Sequence, residues 1–105
     1  KDNSYLKTGS SMANAINVAA EMQAYLLTDR GTWISFKNKS NLKILFEKNE
    51  SLFNPYGVIA INPKKFPHVE YQKSKKFINW LLKGEGKQLI SNYKVDNQQL
   101  FFTYN

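Results

Sequence analysis

Apolar side chains recur along this chain in two rhythms, one with the period of a helix and one as short unbroken runs. Met12, Ile16, Ala19 and Ala20 stand three or four residues apart behind the turn-and-cap sequence Thr8-Gly9-Ser10-Ser11, which predicts a helix from Ser11 to about Met22. Phe77, Trp80 and Leu81 share one side of a second predicted helix, Tyr71 to Lys83, with Lys73, Lys75, Lys76 and Lys83 largely away from it. Gly84-Glu85-Gly86 is expected to interrupt this helix before another from Lys87 to Tyr93, and Gly31 to Lys37 also has helical spacing. The unbroken runs behave differently. Ala24 to Thr28 and Leu42 to Phe46 predict short strands, and Gly57-Val58-Ile59-Ala60-Ile61, stopped by Asn62-Pro63, predicts a strand buried on both faces. Asn49 to Tyr56 is a loop by composition, and Leu100, Phe101 and Phe102 give the tail an apolar segment able to dock on a core.

Composition narrows the class. With 105 residues, the chain is one domain with a modest core, and 42% hydrophobic content with 14% aromatics is too rich for a disordered polymer. No apolar run approaches the length of a membrane span. The absence of cysteine excludes a disulfide framework, a Cys-based zinc site and a thiol nucleophile. A start at Lys1, without methionine or an apolar leader, is expected of a fragment of something longer. The net charge of +7 attracts anions as a class, from small oxyanions to nucleic acids and lipid surfaces.

One basic residue differs from the rest. Fourteen of the fifteen are lysine, and Arg30 alone carries the planar, always charged guanidinium suited to two-point hydrogen bonding with an oxyanion. It lies in Thr28-Asp29-Arg30-Gly31-Thr32, where Asp29 can cap the next helix, Gly31 permits close backbone approach, and both threonines bring hydroxyl donors. Two readings stand side by side: an anion site, or a helix cap whose charges pair locally.

Other candidates carry less chemistry. His68, between Pro67 and Val69, reads as a turn residue, so neither a catalytic His pair nor a multi-His metal site is expected. Gly84-Glu85-Gly86-Lys87 lacks the spacing and hydroxyl of a phosphate loop and reads as a helix stop and restart. Glu47, Glu50 and Glu70 fall at separate loops or element ends, with nothing to pair two of them for acid–base work, so no enzyme activity is expected. Trp33, Phe36, Phe77 and Trp80 have the spacing of core residues rather than of a stacking platform.

Several segments together resemble the second half of periplasmic tungstate-binding proteins of ABC transporters. They are Thr8 to Met12, Asn17 to Glu21, Ala24-Tyr25-Leu26-Leu27-Thr28-Asp29-Arg30-Gly31-Thr32-Trp33, Leu45-Phe46-Glu47, and Asn54-Pro55-Tyr56-Gly57-Val58-Ile59-Ala60-Ile61-Asn62-Pro63. The ending, Phe77 to Leu82 through Gly84 to Ile90, is the looser pattern of many type II periplasmic binding proteins. The resemblance implies an α/β chain, part of a type II periplasmic-binding-protein fold, with a short mixed sheet flanked by helices. Residues 1–62 would form part of the second ligand-binding lobe, including the strand that returns through the hinge. Residues 63–105 would be C-terminal helices packing on a first lobe that this sequence lacks, so an oligomer, a swapped assembly or a compensating collapse is expected. The Thr-rich segment and the Ser-Arg-Gly-Asp segment of the family's earlier part are not in this sequence.

The function so implied is capture of a tetrahedral oxyanion, tungstate or alternatively molybdate, and its delivery to a permease. The setting would be the periplasm, or the outer face of a Gram-positive membrane by way of an anchor. Such dianions present only acceptor oxygens, so the site should consist of donors, with Asp29 turned away to hold Arg30 or the helix start. Carried over position by position, the ligand-binding residues are Arg30, Thr28 and the backbone N–H groups of Ser11 and Met12, supported by Asp29, Gly31 and Thr32. No cofactor or metal is implied. The rival functions are a basic nucleic-acid-binding module, suggested by lysines 64, 65, 73, 75, 76, 83 and 87, and the effector-sensing domain of a transcription regulator.

Overall fold

The computed structural model describes residues 3–104. The chain forms two compact units, one ending at Phe53 and one beginning at Asn54. In the first unit, helix α1 (Met12–Met22) packs against helix α2 (Arg30–Ser35), with Ile16, Ala19, Ile34 and Gly31 buried.

Both ends of α1 are closed by local chemistry. The Ser11 hydroxyl accepts from the Asn14 N–H at 3.2 Å, as an N-cap residue should. At the other end Gln23 turns left-handed (φ 52°), its N–H bonding to the Ala20 carbonyl, while the Ala24 N–H reaches Ala19 at 2.9 Å. Glycine is the usual residue at such a position, because an L side chain is strained there. Gln23→Gly should therefore stabilise the first unit by roughly 0.5–1 kcal/mol, read as a raised midpoint in urea unfolding followed by circular dichroism. An unchanged or lowered midpoint would mean that the glutamine side chain contributes more than its backbone costs.

Helix α2 stops at Ser35, two residues before the expected end. Phe36 is already extended (φ −82°, ψ 118°), and the Lys39 ammonium bonds to its carbonyl while lying over the Trp33 ring. The lysine thus closes the helix from outside it.

None of the three expected strands forms a ladder among the described residues. Ala24 to Thr28, Leu42 to Phe46 and Gly57 to Ile61 are all without regular secondary structure. The last was expected to be buried on both faces, yet Ile59 is 89% exposed and Val58 and Ile61 are also open to solvent. An apolar run marks a segment that can be covered on two sides; pairing and cover must come from neighbouring strands, which these segments do not find here. The mixed sheet is accordingly replaced by one antiparallel pair, β1 (Lys94–Val95) with β2 (Gln98–Gln99), Lys94 facing Gln99 and Val95 facing Gln98. Its two-residue turn, Asp96-Asn97, has both φ angles positive (49° and 61°), the twist that tight hairpins require. The loop from Asn49 holds a short 3₁₀ turn, Glu50–Leu52, with Asn49 Oδ1 accepting from the Ser51 N–H at 2.9 Å.

In the second unit, Asn62-Pro63 turns the chain as expected. The Asn62 side chain accepts from the Lys64 N–H at 3.0 Å and its carbonyl from the Phe66 N–H at 3.0 Å. His68 lies in the exposed turn that follows. Helix α3 (Tyr71–Lys83) has the expected bounds, and helix α4 (Glu85–Asn92) begins two residues earlier than expected. Only Gly84 breaks the helical path, its extended backbone closing α3 through an N–H bond to the Trp80 carbonyl. Glu85 then falls in the first turn of α4, where a carboxylate is favoured. Of the tail, Leu100 is buried and Phe101 stands edge-on to Tyr56, while Phe102 stays exposed.

Candidate functional site

Five of the residues expected at an oxyanion site, Thr28 to Thr32, gather at the start of α2. Thr28, on the unpaired stretch before the helix, directs its hydroxyl to the Asp29 carbonyl at 3.3 Å. Asp29 turns back on the helix: one carboxylate oxygen accepts from both the Thr32 N–H and the Thr32 hydroxyl, each at 2.9 Å. The segment's only carboxylate is therefore engaged by its own helix. Gly31 is buried in the first turn of the helix.

Asp29→Ala removes a cap with two bonds and should cost about 1 kcal/mol. Asp29→Asn, which keeps an acceptor oxygen, should recover most of that loss in the same urea titration. Equal losses in the two variants would show that the charge, not the hydrogen bonds, matters at this position.

Arg30 is the first residue of α2, and its guanidinium lies 3.5 Å from the Glu47 carboxylate. Their side chains are 34% and 45% exposed, so solvent screens the pair and it contributes well under 1 kcal/mol to stability. The pairing of Glu47 with Arg30 was not expected from the sequence. Glu47 follows Arg30 by about a third of the length of the unit, just past the expected strand Leu42 to Phe46, and no spacing rule links the two.

Ser11 and Met12 stand at the start of a different helix. The Ser11 hydroxyl is used in capping α1, and the Met12 side chain is partly exposed. α1 and α2 share the small core around Ile16 and Ile34, which ties the two groups to one unit. The open depression along Val69 to Lys73, at the start of α3, includes none of the expected site residues. Among the described residues no group of three His, Asp or Glu side chains could hold a metal ion, and no helix is long and apolar enough to cross a membrane.

Comparison with known proteins adds a family to this geometry. A tungstate-binding protein (TupA) of Peptoclostridium acidaminophilum is 40% identical over 89 residues, covering 85% of this chain and 31% of that protein. A tungstate-binding protein (TupA) of Campylobacter jejuni is 39% identical over 105 residues, 96% of this chain and 39% of its own. A putative ABC transporter anion-binding protein of Haloferax volcanii is 36% identical over 103 residues, 93% of this chain and 30% of its own. The chain thus spans about a third of the length of the curated relatives it matches. No solved structure matches it. Residues 1–85 match the PBP superfamily domain, and on that match over most of its length the chain belongs to the PBP superfamily.

Proposed function

We propose that this chain is part of the substrate-binding component of an ABC transporter, taking up a tetrahedral oxyanion, tungstate in the first place and molybdate in the second, for delivery to a permease. The observation that carries the reading is the likeness of almost the whole chain to two proteins named for tungstate binding. The geometry at α2 supports it, because the Asp29 carboxylate that would repel a dianion is engaged by Thr32. Arg30 would supply a charged donor, Thr28 a hydroxyl, and Ser11 with Met12 backbone N–H groups, while Asp29, Gly31 and Thr32 hold the turn. The role is one of binding, without chemistry on the ligand.

In this reading residues 1–62 belong to a second ligand-binding lobe and residues 63–105 are helices that pack on a first one. Tyr25, Leu27, Leu45, Ile59, Phe77 and Leu82 are exposed apolar side chains that such a lobe, or a second copy in an oligomer or swap, would cover. The place of action is the periplasm or the outer face of a membrane.

The geometry lends nothing to the rival functions. Lys73 pairs with Glu70, and Lys65 and Lys75 lie over the rings of Phe66 and Tyr71, local engagements typical of a solvated lysine surface. Titration calorimetry of the chain with tungstate, against sulfate at matched ionic strength, tests the proposal. Saturable heat with tungstate alone supports a site built from these residues, and the absence of heat removes the site from this chain.

A further inference from the structure

Arg30 lies beside a carboxylate that is not the nearest one in sequence. Asp29, its neighbour, is engaged by the Thr32 N–H and hydroxyl. An acid beside the guanidinium is Glu47, which reaches it from a separate segment of the same unit. We propose that Glu47 is a displaceable counter-ion: it neutralises Arg30 when the site is empty and is exchanged for the incoming oxyanion. This rests on the reading of Arg30 as an anion donor.

Three features carry it. The first is chemical equivalence, since a carboxylate offers a guanidinium what a tetrahedral oxyanion offers, namely charged acceptor oxygens. The second is looseness. At 3.5 Å through one terminal nitrogen, the pair is longer than the roughly 2.7–2.9 Å of a tight charged hydrogen bond. The third is the ease of release, because the Glu47 side chain is 45% exposed and stands in an irregular segment between Leu45 and the left-handed Lys48 (φ 57°), so its carboxylate can return to water. A dianion has twice the charge of Glu47 and displaces it. A monoanion merely equals it, so Glu47 sets a threshold that favours doubly charged ligands.

The chain has a single arginine, so its side-chain Nε–Hε signal in a nitrogen–proton correlation spectrum is assigned without ambiguity. Sodium tungstate is titrated into the wild type, Glu47→Gln and Glu47→Asp, with sodium nitrate as the monoanion. Glu47→Gln is expected to move the Arg30 signal seen before tungstate is added and lower the tungstate midpoint about two- to three-fold, the size of a screened surface pair. It should also narrow the preference for tungstate over nitrate, and Glu47→Asp should stay near the wild type in both respects. A tungstate midpoint equal to or higher than the wild type's in Glu47→Gln would overturn the counter-ion role while leaving Arg30 as a donor. An Arg30 signal that tungstate moves in no variant would instead overturn the anion reading of Arg30, and the counter-ion role with it.

Discussion

Arg30→Ala should weaken tungstate binding by about ten- to a hundred-fold. A hydrogen bond to a charged group is worth about 1.5–3 kcal/mol, and each 1.4 kcal/mol is a factor of ten in affinity. Stability should change far less, because the ion pair with Glu47 is part-exposed and long. That contrast makes the variant informative. A residue that caps a helix loses stability and affinity together, whereas a ligand donor loses affinity alone. Arg30→Lys should fall between, since it keeps the charge and discards the planar fork. Calorimetry supplies the affinities and urea unfolding the stabilities. Affinity unchanged in Arg30→Ala would assign the chain's one arginine to its partnership with Glu47.

What could be seen in the sequence was whatever a segment decides for itself. Ser11 followed by apolar residues at helical spacing fixes α1, and the Lys-rich, Phe-Trp-Leu-bearing stretch fixes α3 to the residue. Asp29 was legible as a cap because the carboxylate and its Thr32 partner are three residues apart. Strands were not legible in the same way. Tyr25, Leu45 and Ile59 lie in runs with the composition of strands, but a strand exists only where another chain segment meets its hydrogen-bonding edge. The hairpin seen among the described residues was hidden for the opposite reason. Lys94-Val95 and Gln98-Gln99 have little strand character, and only Asp96-Asn97, two residues tolerant of positive φ, gave a signal that could have found it. At the candidate site the Thr28 to Thr32 segment was legible and the Arg30–Glu47 pairing was not, since an ion pair across about a third of the unit depends on how the intervening chain turns at Ser40.

Gly86 provides the sharpest test of the packing in the second unit. Its position on α4 meets the face of the Trp80 ring, and a β-carbon there would lie 2.6–2.9 Å from three ring atoms. The ring stacks on Phe77 at 5.9 Å with 21° between the planes, a contact it gives up if it steps aside. Gly86→Ala therefore opposes two effects. Alanine favours the helix over glycine by about 1 kcal/mol, and forced overpacking costs about 1–3 kcal/mol. The clash should win in the wild-type background, with a net loss of roughly 1 kcal/mol in urea unfolding followed by circular dichroism. The same substitution made in Trp80→Ala meets no ring and should show the helix preference alone, a gain of about 1 kcal/mol. The sign of the Gly86→Ala effect thus depends on Trp80, and a double-mutant cycle isolates the coupling at about 2 kcal/mol. An identical effect in both backgrounds would mean that α4 does not lie against that ring.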